Sequence, residues 1–248
     1  MNHRYQHDTN LEIAYLGELI ATFGERSDLL PEEAIKNIIY PRFQQLEKER
    51  SKILGTLTQS VEEYYQFCLW IHGFLYNKIL SNAGKFRQIT DPNGGNVYFG
   101  GINCQTMKDK FTGTKPNLIQ SEVSEAFTIL FNHQLNPVES SIRFYAEFVA
   151  IHPFYDANGR IGRYIVDIYL QNHNFYVDWQ SINQKHGKFL RKLNYCHSVR
   201  AKQKEFVNQE VYWQSIREKY IGYLLNFWSQ FVEPINTFTR YSNPNNHQ

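Results

Sequence analysis

The stretch from Asn136 to His152 limits what this chain can fold into more than any other. Asn136 can cap a helix, Pro137 suits its first position, and Glu139 follows three residues after the cap. Beyond that start, Val138, Ile142, Tyr145 and Val149 form one apolar stripe, and Phe144, Phe148 and Ile151 form a second. A helix that is apolar nearly all round belongs at the centre of a bundle. It has to stop near His152, because Pro153 disfavours helical geometry in the residue before it. The chain must therefore wrap other elements around a buried rod that ends in a histidine at the rim of the core.

Helical periodicity dominates the rest. Helices are expected over 11–23, 30–54 with a kink or split at Pro41, 58–80, 117–134, 159–173, 179–200 and 207–238, with a frayed tail `YSNPNNHQ`. The one β signal is `KFRQIT`, `DPNGG` and `NVYFGG`, two short runs around a Pro-Asn-Gly-Gly turn, which predicts a hairpin. The fold class is thus all-α, a helical bundle with one short hairpin. The 248 residues divide into an N-terminal helical extension (1–55), a core domain (56–205), and a C-terminal helix with tail (206–248).

A formal net charge of +2 with both signs interspersed gives no basic stripe, so nucleic acid is not an expected partner. Cys68, Cys104 and Cys196 lie far apart without metal-ligand spacing, as suits reduced thiols. No apolar run is long enough to span a bilayer and no signal peptide is apparent, so a cytoplasmic protein is expected. Export without a cleaved signal would leave no trace in the sequence.

`AIHPFYDANGRIGRYIVD` (150–167) raises a chemical question. Arg160 and Arg163 fall in the first turn of a helix, where the macrodipole opposes each cation by roughly 0.3–1 kcal/mol. An anion docked on the N–H groups of Asn158, Gly159 and Arg160 would reverse that balance, with the guanidinium groups flanking it. Gly159 would let it approach closely. Asp156 beside bound phosphates makes sense if a hard divalent cation such as Mg²⁺ bridges the two, and His152 can accept a proton near neutral pH. The set reads as a phosphoryl- or nucleotidyl-transfer site.

The same residues resemble the signature of the Fic (Fido-fold) family, H-P-F-x-[DE]-G-N-G-R-x-x-R. The match runs through His152, Pro153, Phe154, Asp156, Asn158, Gly159, Arg160 and Arg163, with Ala157 where the family has Gly. Doc-type kinases of that superfamily also carry Asp-Ala-Asn but continue Lys-Arg, so Gly159 is similar to the Fic side. The likeness extends over about 60–200, with `GKFR` similar to the family's approach to its target-docking flap.

The resemblance implies a Fic-type bundle whose hairpin is a flap beside the active site. It implies Mg²⁺-dependent transfer of AMP from ATP to a Tyr, Ser or Thr hydroxyl of a target protein. His152 would be the general base and Asp156 the metal ligand. Ala157, Asn158, Gly159, Arg160, Gly162 and Arg163 would surround the nucleotide, and Phe154 would anchor the loop. The flap at about 88–101 would hold the target as an added strand. Family members are often restrained by a helix whose Glu pairs with the second motif arginine, here Arg163. Glu62 in Thr58–Glu63 has the spacing but not the full motif, and an inhibitory partner protein is the other route. Alternatives within the fold are transfer of UMP, phosphocholine or phosphate, or removal of AMP; outside it stands a non-catalytic nucleotide- or protein-binding module. His72 reads as a satisfied core residue, and Lys185, His186, Lys188, Arg191 and Lys192 as a solvated helix face.

Overall fold

A computed structural model describes residues 9–26, 28–100 and 110–235. Its helices are α1 (Thr9–Phe23), α2 (Pro31–Ala34), α3 (Tyr40–Lys48), α4 (Arg50–Thr56), α5 (Val61–Tyr76), α6 (Ile119–Leu130), α7 (Pro137–Ile151), α8 (Asn158–Asn172), α9 (Trp179–Gln184), α10 (His186–Glu205) and α11 (Glu210–Trp228). Two small antiparallel pairs join them: β1 (Tyr98–Gly100) with β2 (Lys110–Thr112), and β3 (Phe175–Val177) with β4 (Val232–Pro234).

The α7 rod lies at the centre. Asn136 Oδ1 accepts from the Glu139 amide at 2.9 Å, and Ile142, Phe144 and Phe148 are fully buried. Each such side chain contributes roughly 1.5–3 kcal/mol by leaving water. Helix α8 crosses α7 where Gly162 faces it: a methyl there would lie 3.1 Å from Tyr145 Cδ2 and 3.3 Å from Phe148 Cδ1. Gly162 thus serves the helix crossing rather than the loop before it. The N-terminal helices share this core, through Tyr164 Oη donating to the Leu46 carbonyl and Arg42 Nη1 to those of Leu75 and Asn77.

Three expectations change in detail. Pro41 does not break its helix; a π-helical segment, Ile35–Ile39, precedes it, and α3 continues to Lys48. A proline ring clashes with the carbonyl four residues back, and a wider turn relieves that clash. The hairpin is real but its arms are displaced: `DPNGG` makes a 3₁₀ turn, residues 85–90 form no strand, and β1 pairs with β2 in the register Phe99 to Phe111. The 179–200 helix breaks at Lys185 and extends to Glu205, and the last helix ends at Trp228, where β4 returns to pair with β3. The tail `YSNPNNHQ`, Cys104 and the end of the expected flap at residue 101 lie outside the described residues. Among those described, no helix is long and apolar enough to cross a membrane.

Candidate active site

The motif forms the link between α7 and α8. His152 ends α7 with φ 53° and ψ 57°, a left-handed conformation that turns the chain sharply, as a C-cap residue does. Phe154 then drops into the core, flat against the His72 ring with centroids 4.2 Å apart. His72 accepts from the Gly84 amide at Nδ1, and burial pushes its pKa down to about 3. Asn158 closes the loop: its Oδ1 accepts from the Phe154 amide and its Nδ2 donates to the Phe154 carbonyl, each at 2.9 Å. The Asn158 side chain is thus spent on loop shape.

No side chain caps the first turn of α8. Ala157, at its N-cap position, is left-handed at φ 62°, where the signature has glycine. A methyl on Gly159 would meet only Tyr145 Oη, at 3.7 Å, so packing gives no reason for glycine there.

Asp156 lies against that turn. Its Oδ1 accepts from the Ala157 amide at 2.6 Å; its Oδ2 accepts from Tyr76 Oη at 2.5 Å and from Arg160 Nη2 at 2.9 Å. Burial works to raise its pKa, but Arg160 and these two donors hold the carboxyl below the usual range, so it is ionised. A carboxylate offers about four acceptor positions, of which these bonds fill three. The remaining one sits on a side chain that is 19% exposed. One ionised carboxylate beside an uncapped helix start is the kind of oxygen donor that Mg²⁺, which takes few protein ligands, would accept.

The two arginines reach different partners. Arg160 is buried: it pairs with Glu12 on α1, donates to Tyr76 Oη at 3.0 Å, and lies over the Phe43 ring. Arg163 stacks over Trp179 at 4.9 Å, donates to Asn183 Oδ1 at 3.3 Å, and stands close enough to His186 to depress its protonation, after burial. Glu62 is exposed at the start of α5 and accepts from Gln66. It stands fourteen residues from Tyr76 on that helix, or about 21 Å at 1.5 Å per residue.

His152 lies under the hairpin. The Phe99 ring of β1 stacks on its imidazole, with centroids 4.5 Å apart and 9° between planes. Burial, and secondarily Arg87, lowers its pKa to about 4, offset in part by the Val149 backbone and Asp156. The imidazole is therefore neutral at pH 7.

Sequence reasoning did not find Glu12, Tyr76 or Phe99. Glu12 and Tyr76 lie 148 and 84 residues before Arg160, on helices whose pattern reports only packing. Phe99 was inside the quoted hairpin, but its position over His152 depends on the strand register.

Comparisons with known proteins bear on the fold that carries this site. Residues 60–170 match the family model described as Fic/DOC family. The N-terminal Fic domain of a VirB-translocated Bep effector protein from Bartonella quintana, solved with ADP, aligns at TM-score 0.51 and 13% identity, covering 89% of this chain and 94% of that one. BepC from Bartonella tribocorum, solved with AMPPNP, aligns at TM-score 0.50 and 12% identity, covering 87% and 97%. A Fic family protein from Desulfovibrio desulfuricans G20 aligns over 89% of this chain at 19% identity and TM-score 0.44, and this chain spans 62% of its length. No curated protein matches the chain in sequence. The buried α7–α8 pair and the signature that links them fall within the matched stretch, and residues 60–170 carry a Fic domain.

Proposed function

We propose that the chain transfers AMP from ATP to a hydroxyl of a target protein. The observation that carries this reading is the pairing of a neutral His152, under a short strand, with an uncapped helix start beside an ionised Asp156. The adenine nucleotides in the two Bartonella structures support a nucleotide at the corresponding place here.

In this reading the phosphates lie on the first turn of α8, over Gly159, with Arg163 at their distal end. Arg160 joins them when Glu12 gives way. Asp156 holds Mg²⁺, which neutralises phosphate charge when bound. A target segment lies along the hairpin and offers its hydroxyl to His152. As the hydroxyl oxygen bonds to the α-phosphorus, its proton passes to the imidazole, the bond from the α-phosphorus to the bridging oxygen breaks, and pyrophosphate leaves. The low basicity of His152 in the structure reflects its covering. A target that displaces Phe99 and admits water or a hydroxyl brings the imidazole towards its ordinary value.

Incubation with ATP labelled at the α-phosphate, Mg²⁺ and a cell lysate should label protein, and His152→Ala should abolish the label. Label entering only from γ-labelled ATP would overturn AMP transfer in favour of phosphoryl transfer. Saturable ATP binding without transfer of either label would favour a binding module.

A further inference from the structure

Arg87, the last residue of `GKFR`, is 1% exposed, and among the described residues its hydrogen-bond partners are all backbone carbonyls. Its Nε donates to the His152 carbonyl at 2.8 Å, and its Nη2 to those of Thr114 at 2.9 Å and Ile151 at 3.3 Å. Its Nη1 donates to the Gly95 carbonyl. A buried cation without a carboxylate is costly and persists where its donors are otherwise matched. Two of these carbonyls end α7, the negative end of the helix; the other two lie just outside the strands of the hairpin.

The surrounding backbone repeats the link. Thr114 donates its amide to Ile151 at 2.9 Å, Arg87 donates its own to Pro153 at 3.0 Å, and Gly113 donates to Val97 at 3.1 Å. Gly113 makes the approach possible, since a methyl there would lie 2.9 Å from Arg87 Nη2 and 3.3 Å from His152 Cβ. The charged or titratable groups that act on His152 are Arg87 from the hairpin side and Asp156 from the loop, with His197 from α10 close enough to be depressed by it.

We propose that Arg87 is a positioning residue. It bolts the base of the hairpin to the turn that presents His152, so that the strand receiving the target and the base that takes its proton move as one body. This rests on the reading of His152 as the base, which it deepens by naming how base and hairpin are held in register.

Three measurements test it. In Arg87→Gln, histidine NMR should show His152 titrating closer to 6.5 than in the intact chain; an unchanged titration overturns the proposal. In Arg87→Lys, which keeps the charge but cannot span four carbonyls, transfer should slow on the order of 10²-fold in kcat with the KM for ATP unchanged, as for a displaced reacting group. A rise in KM alone overturns it. Hydrogen exchange of the unaltered chain needs no variant to fold: the amides of Arg87, Gly113, Thr114 and His152 should exchange as one cooperative set. Gly113 and Thr114 exchanging far faster than His152 would overturn the coupling. Should the unaltered chain transfer no label, the functional reading falls, and exchange and titration still decide whether Arg87 holds the two pieces together.

Discussion

At the residue scale the motif holds two side-chain-bearing residues in the left-handed region, His152 and Ala157, and only the second stands where the signature has glycine. Ala157 holds φ 62°, a conformation that costs an L side chain roughly 1–2 kcal/mol. Ala157→Gly removes that strain and adds about 0.4–1 kcal/mol of unfolded-state freedom. The variant should be stabilised by roughly 0.5–1 kcal/mol in urea unfolding. Glu12 is the opposite case. Its side chain and that of Arg160 are 9% and 5% exposed, and Glu12 Oε2 also accepts from Tyr40 Oη at 3.0 Å. Glu12→Gln leaves a buried cation without its full partner and should cost about 3 kcal/mol. The same variant should bind ATP more tightly, because a carboxylate would no longer stand where phosphate oxygens are expected. Calorimetry showing equal or weaker binding would make Glu12 a purely structural partner. The local string revealed the candidate chemistry because His152, Asp156, Arg160 and Arg163 lie within twelve residues. It could not reveal Glu12 or Tyr76, whose part is decided by how distant helices pack.

At the element scale, local signals told most where local physics decides. The start of α7 is capped through Asn136, and its end falls before Pro153. Asn136→Ala should therefore cost about 1 kcal/mol, read from the shift of the unfolding midpoint. Prediction slipped where a long-range partner chooses the outcome. The arms of the hairpin were misassigned because Gly95 and its turn serve Arg87 rather than a strand reversal, and β2 comes from beyond residue 109. The β3–β4 pair was invisible because its three-residue strands are 55 positions apart and carry no alternation to distinguish them from helix flanks. At Pro41 the helix departs from regular α geometry without ending: a π turn leads into it, and Phe43 and Leu46 are buried beyond it.

At the scale of the whole molecule, three histidines among the described residues are held neutral: buried His72 with a pKa pushed down to about 3, half-buried His152 to about 4 and buried His197 to about 3, loss of solvent being the first cause in each. Each is near 6.5 in the unfolded chain, so unfolding takes up protons below that pH. Stability is complete above about 6.5 and falls as the pH drops towards 3. The depressed carboxyls of Asp156, Glu122 and Glu147, where burial is outweighed chiefly by arginines, add loss in the same direction below about 4.5. Tm should thus stay level from pH 7.5 to about 6.5 and fall from there to 4.5, by roughly 2–4 °C for each kcal/mol lost; a flat profile below 6.5 would refute the neutral histidines. The β3–β4 pair has a mechanical corollary. Ile235 donates to the Asn174 carbonyl at 2.7 Å, next to Phe175 opposite Pro234, so the strands meet at the edge nearest the C-terminus of α8. Tension applied to the backbone past Ile235 would unzip these bonds one after another, starting beside α8, instead of shearing them all at once. A tether or fusion attached there would pull first on the far end of the helix whose opposite end bears the signature.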